Sequence, residues 1–255
     1  MARATALITG ASSGIGREFA KLCAAAGSDV VLVARHQDEL DAFAGEIERA
    51  HSVRARPLAA DLSNSAAPQA IFEACGSVDI LANNAGFGQA GTFTEIDWEV
   101  EARMIQVNVT ALAHLTKLYL PGMIARRSGR ILNVASTAAF APGPNMAVYY
   151  ATKALVFSLT LALAAELEGT GVTATALCPG PTATEFGHRA GNERSNLFKG
   201  RVMSAADVAR EGFDAMMAGK PEIIAGSRNR WLIWGSRFAP RRMLTSMTKR
   251  LNSAG

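Results

Sequence analysis

An apolar run, Thr5-Ala6-Leu7-Ile8-Thr9, passes directly into Gly10-Ala11-Ser12-Ser13-Gly14-Ile15-Gly16 and then into a helical stretch beginning at Arg17. No other feature narrows the possible folds so far. A strand joined to a helix by a glycine turn is the first half of a βαβ unit, whose next strand lies parallel to the first. Glycines allow the tight turn and let a pyrophosphate approach the backbone, while the free N–H groups of the helix start attract an anion. The spacing is Gly-x-x-x-Gly-x-Gly rather than Gly-x-Gly-x-x-Gly. An ordinary tight βα turn would use the same letters.

The rest of the chain repeats the alternation. Short β-rich runs over 4–9, 29–34, 53–58, 80–83, 129–135, 172–177 and 222–225 are separated by helical runs over 14–26, 38–50, 65–75, 98–126, 148–168 and 205–218. Val30-Val31-Leu32-Val33 is apolar on both faces, as a strand covered by helices on both sides must be. The expected fold is α/β, a doubly wound, parallel, seven-stranded sheet (a Rossmann fold) in a single domain. A chain of 255 residues with 49% hydrophobic and 19% charged content can bury such a core.

The first strand starts within four or five residues of Met1, which leaves no room for a secretory signal. The near-apolar run 154–165 contains Ser158 and Thr160 and falls short of the roughly 20 residues that span a bilayer. A soluble, cytoplasmic protein is expected. Cys23, Cys75 and Cys178 lack Cys-x-x-Cys spacing, so neither a disulfide nor a metal site is expected.

Candidate chemistry lies in the second half. Ser136 ends a buried-looking strand, and Tyr149-Tyr150-Ala151-Thr152-Lys153 opens a helix on which Tyr149 and Lys153 share a face. A neighbouring ammonium stabilises a phenolate, so the pair makes a tunable acid/base. Ser136 could hydrogen-bond a substrate oxygen beside the phenol, which suits chemistry at a carbonyl or carbinol carbon. Tyr150, three residues from Lys153, competes for the same role.

These residues together resemble the classical short-chain dehydrogenase/reductase family. Thr9-Gly10 through Gly16, Asn83-Asn84-Ala85-Gly86, Asn108, Ser136, Tyr149 with Lys153, and Pro179-Gly180 fall in that family's order and approximate spacing over about residues 4 to 226. The resemblance implies a nicotinamide-dependent oxidoreductase with catalytic Asn108, Ser136, Tyr149 and Lys153. In that scheme the tyrosine is the acid/base and the serine orients substrate. The lysine binds nicotinamide ribose and lowers the tyrosine pKa, and the asparagine helps hold a proton-relay water. Asn108 reads equally as a buried amide bonding backbone. A homodimer or homotetramer, built on the long fourth and fifth connecting helices, is also implied.

For the cofactor, the resemblance points to Gly10, Ser12, Ser13, Gly14, Ile15 and Gly16 at the pyrophosphate and to Asp61-Leu62 at the adenine. Asn83, Ala85 and Gly86 would form the wall beside the adenine ribose. Pro179, Gly180 and Thr182 would meet the carboxamide, with Thr184 adding a phosphate contact. An acidic residue after the second strand would bind both adenine-ribose hydroxyls; this chain has Arg35. A guanidinium suits a 2′-phosphate, so NADP(H) is favoured over NAD(H). Residues 185–203 read as a flap over substrate. Phe87, Phe140, Pro142 and Met146 are candidate apolar pocket wall. A catalytically idle nucleotide-binding sensor or scaffold is the alternative to an enzyme.

Residues 227–255 carry Arg228, Arg230, Arg237, Arg241, Arg242, Lys249 and Arg250 and no acidic residue. The preceding 226 residues keep 19 of the 26 basic residues against all 22 acidic ones, a net charge of −3. No global nucleic-acid surface is implied. Interleaved Trp231, Trp234, Phe238, Met243 and Met247 make this a basic amphipathic extension to a 1–226 catalytic domain. It suits peripheral contact with an anionic membrane, packing on its own domain, or cover for a partner subunit.

Overall fold

Seven parallel strands form one sheet in the order β3-β2-β1-β4-β5-β6-β9 in the computed structural model, which describes residues 3–193, 195–200 and 202–253. The strands are β1 Thr5–Thr9, β2 Asp29–Ala34, β3 Ala55–Ala59, β4 Ile80–Asn83, β5 Gly129–Val134, β6 Val172–Cys178 and β9 Glu222–Ile224. The helices are α1 Gly14–Ala25, α2 Gln37–His51, α3 Ala67–Cys75, α4 Trp98–Ile105, α5 Leu112–Ala125, α6 Ala147–Glu166 and α8 Ala205–Met217. The chain winds outward from β1 to β3, then returns to β4 on the other side of β1. That reversal opens a crevice at the carboxyl ends of β1 and β4.

Strand periodicity builds two cores. Ala6, Ile8, Val30 and Leu32 face Phe19, Phe43, Ile47 and Phe213 of α1, α2 and α8. The alternate residues Leu7, Val31 and Val33 face Ile71, Leu115, Tyr119 and Met123 of α3 and α5. Both faces are therefore dry, which explains why β2 carries no alternation. Edge strand β3 tolerates Pro57, because one side of an edge strand needs no ladder donor.

Two expectations are corrected. The long helix expected over 98–126 is divided by a π-helical turn, Gln106–Ala111, which inserts an extra residue per turn around Asn108. Residues expected to read as an apolar run too short to span a bilayer extend, in α6, to a helix of 20 residues, long and apolar enough by that measure. Tyr149, Thr152, Lys153 and Thr160 are nevertheless buried on α6, which packs on β6. The 185–203 flap carries a short α7, Phe186–Arg189, and is closed at its base by a ribbon of β7 Thr182–Ala183 with β8 Met203–Ser204. Arg194 and Arg201 of that flap, and residues 1–2 and 254–255, lie outside the described residues.

The extension forms two helices, α9 Ser227–Ser236 and α10 Arg241–Asn252. The carboxyl end of α10 turns back onto the body. Tyr150 Oη donates to Asn252 Oδ1 at 3.0 Å, and Asn252 Nδ2 donates to the Pro144 carbonyl at 2.9 Å. Asn196 Nδ2, on the flap, donates to the Arg250 carbonyl at 2.9 Å.

Candidate active site

The glycine turn is shaped from both sides. Gly10 and Gly14 have φ of +66° and +55°, left-handed values that an L side chain adopts with strain. A Cβ at Gly16 would run into the Gly10 carbonyl and the Asn84 amide, so Gly16 lets α1 close onto the turn. Asn84 Nδ2 donates to the Thr9 and Gly10 carbonyls at 2.9 and 3.2 Å, and Thr9 Oγ1 accepts from the Asn84 and Ala85 N–H groups at 3.0 Å. Ser13 caps α1 through its backbone alone, with no side-chain hydrogen bond to the first-turn N–H groups. Those donors remain to attract an anion.

This turn floors a cleft of about 620 Å³. Along it lie Gly10, Ser12, Ser13, Gly14, Ile15, Arg35, Asp61, Leu62, Ala85 and Gly86 at one end, and Ser136, Tyr149, Lys153, Pro179, Gly180, Thr182 and Thr184 at the other. Gly16, Asn83 and Asn108 do not line it. Asn83 is buried in the sheet, where its Nδ2 donates to Thr116 Oγ1 at 3.1 Å and Asn133 Oδ1 at 2.9 Å. Asn108 binds the backbone at both ends: its Oδ1 accepts from Phe87 N–H at 3.0 Å and its Nδ2 donates to the Phe87 carbonyl at 2.9 Å. It thereby fixes the chain after Gly86, where an added methyl would come within 3.4 Å of Lys153 Nζ. The uncapped start of α1, the left-handed Gly10 and Gly14 and the cleft that runs from them to Lys153 together fit a bound dinucleotide.

Ser136 lies two residues beyond β5 and caps the turn Thr137–Phe140, its Oγ accepting from Ala138 N–H at 3.1 Å. Tyr149 and Lys153 stand one turn apart on α6, both buried and both facing the cleft. Lys153 Nζ donates to the Val134 carbonyl at 2.7 Å and lies 5.9 Å from the Tyr149 ring centroid. Tyr150 resolves as support, because its hydroxyl is taken by Asn252.

From the sequence, Lys153 is expected to lower the Tyr149 pKa; in the structure burial dominates and the net shift is upward. Burial holds the Tyr149 phenol well above its usual range, a hydrogen bond with Ser136 opposes the rise, and neighbouring Tyr150 adds to it. Burial also brings the Lys153 ammonium down to about 8. At neutral pH the pair is a protonated phenol beside an ammonium, a proton donor in waiting.

At the adenine end, Arg35 is exposed and neighbours His36, Glu39 and Arg103 along the cleft. The Asp61 carboxyl is held below the usual range by the Ser63 backbone N–H, with Arg35 and Arg103 adding to it. Arg103 and Asn192 were not foreseen as cleft residues; their only sequence signal was a place in a helix and in the flap. Phe87 and Met146 do line the cleft, while Phe140 stacks on Phe157 at 4.7 Å and Pro142 is outside the lining.

The fold, the glycine crevice and the half-buried Ser136 with buried Tyr149 and Lys153 are those of a nucleotide-binding oxidoreductase. Residues 4–195 match the short chain dehydrogenase family model, and the chain belongs to that family. A short chain dehydrogenase of Pseudocercospora fijiensis is 41% identical over 189 residues, covering 72% of this chain and 61% of that protein. A short-chain dehydrogenase from Sphingobium yanoikuyae in complex with NADPH is 34% identical, with a TM-score of 0.83 over 92% of this chain and 93% of that one. A 3-ketoacyl-(acyl-carrier-protein) reductase from Brucella melitensis complexed with NADH is 35% identical, with a TM-score of 0.76 over 87% of this chain and 95% of that one.

Proposed function

We propose that this oxidoreductase is an NADP(H)-dependent carbonyl reductase, or secondary-alcohol dehydrogenase, for an apolar substrate. The observation that carries the reading is the burial of Tyr149 and Lys153 one helical turn apart at the end of the dinucleotide cleft. The bound nicotinamide supplies or accepts the hydride. Ser136 and Tyr149 hold the substrate oxygen, and the phenol proton passes to that oxygen as the carbinol forms. Lys153 holds positive charge beside the phenolate left behind. In the oxidation direction the phenolate takes the proton back. Phe87, Met146, Phe186, Leu197 and Phe198 line the substrate end and exclude water from it.

Arg35 supports the coenzyme choice, since a guanidinium at the end of β2 suits a 2′-phosphate and an acid would repel it. The enzyme reading is tested by following NADPH absorbance over a panel of apolar ketones. Turnover is expected. Coenzyme binding with no turnover on any ketone or alcohol would favour the idle sensor instead. In the same assay, Arg35→Asp raises the KM for NADPH far more than that for NADH; unchanged preference refutes the assignment.

For partners, the outer face of α6 presents Ala151, Leu155, Ser158, Ala162 and Ala165 to solvent. Small residues at seven-residue helical spacing suit close approach by the same helix of a second copy, as in a dimer. The extension presents Trp231, Trp234 and Phe238, at 71%, 57% and 75% exposure, among its cations. Aromatic rings set in basic surroundings suit an anionic lipid surface. Pairing this face with its own copy would oppose cation to cation.

A further inference from the structure

The flap hides one polar group that its own fold does not satisfy. Asn192 follows α7 and is 3% exposed, yet it lines the substrate end of the cleft with Tyr149, Met146, Phe186 and Phe198. Its backbone is fixed: its N–H donates to the Gly187 carbonyl at 3.1 Å, and its carbonyl accepts from Ser195 N–H at 2.9 Å. Its Nδ2 reaches only the Met146 sulfur, at 3.4 Å, which is a weak acceptor. Its Oδ1 has no hydrogen-bond partner among the described residues. Exchanging the amide oxygen and nitrogen would only move the orphan to the other end of the same group.

A buried carbonyl oxygen in an apolar wall is costly unless a donor reaches it. Asn83 Oδ1 and Ser195 Oγ are also unpartnered, but neither residue lines the cleft. Among the described residues, Asn192 alone combines an orphaned acceptor with a place in the cleft lining. The surrounding Met146, Phe186 and Phe198 carry no N–H or O–H side-chain donor for it.

We propose that Asn192 is a specificity-determining residue: the preferred substrate is an apolar ketone, or its alcohol, bearing a second hydroxyl or N–H that donates to Asn192 Oδ1. The proposal rests on the carbonyl-reductase reading and narrows it. A site built around a hydrogen bond rejects the analogue that lacks the donor, because the protein's own group is then left unpaired.

The test uses the full chain with NADPH and a series of apolar ketones in which one hydroxyl is moved stepwise away from the carbonyl, with the deoxy parent included. The wild type is expected to prefer one hydroxyketone over the parent by roughly 10- to 100-fold in kcat/KM. Asn192→Leu brings that ratio close to one, whereas Asn192→Asp, which still accepts a hydrogen bond, keeps a preference. Thermal melting of both variants separates loss of fold from loss of recognition, since the ratio is read only from folded enzyme. Turnover of the series without discrimination, or a preference that survives in folded Asn192→Leu, overturns the assignment and leaves the carbonyl-reductase reading standing. Failure to reduce any member overturns that reading and this inference with it.

Discussion

Tyr149 and Lys153 are displaced by one cause, burial, in opposite senses. The phenol is held protonated, and the ammonium is brought down to about 8. In the proposed carbonyl reduction the phenol proton is consumed and a phenolate is left for the ammonium to stabilise. Below about 8 both groups carry the proton that reduction needs; above it Lys153 is neutral and that stabilisation fades. A profile of kcat/KM for ketone reduction should therefore be flat from mildly acidic pH up to about 8 and fall beyond it. Alcohol oxidation, which needs the phenolate, should rise with pH over the alkaline range. Reduction that instead accelerates through neutrality would contradict the assignment. Cys178 lies near this pair, but burial pushes its thiol up to about 12, so it stays protonated.

Among the elements, α10 is the one whose role was least legible. Its apolar and basic residues were plain, but a hydrogen bond from Tyr150 to Asn252, 102 residues away, leaves no local signature. The two bonds of Asn252 seat Tyr150 and the Pro144 segment that leads into α6, and thus place Tyr149 indirectly. Asn252→Leu leaves a buried hydroxyl and a carbonyl unpaired, at about 1–3 kcal/mol each. A lower melting temperature and an about tenfold fall in kcat are expected, with coenzyme affinity retained. Tyr150→Phe should lower kcat similarly, and the double variant should lose little more. Additive losses, or an unchanged kcat, would remove α10 from the catalytic apparatus. By contrast, β1, the glycine turn and α1 were legible because local sterics decide them. The π-turn at Asn108 was not, since it depends on the amide reaching Phe87 across the cleft wall. Gly16 and Asn83 act by packing the glycine turn and the sheet rather than by lining the cleft, a distinction that spacing does not carry.

At the scale of the molecule, residues 227–253 are anchored on the preceding body by the last turn of α10, while α9 turns its rings outward. Removing residues 227–255 would therefore disturb the site as well as the surface. The cleaner comparison is Trp231→Ser with Trp234→Ser and Phe238→Ser in the full chain. Cosedimentation with phosphatidylserine-containing vesicles at low salt should fall severalfold in that variant, with ketone reduction unchanged. Equal pelleting of both proteins would dismiss the lipid surface, and loss of a dimer in the variant would assign the face to a second copy. The enzyme itself stands on one proton. Tyr149→Phe keeps the ring, its packing and the glycine crevice and deletes only the hydroxyl. NADPH binding should persist, while ketone reduction falls by on the order of a hundredfold or more; reduction at the wild-type rate would contradict the mechanism.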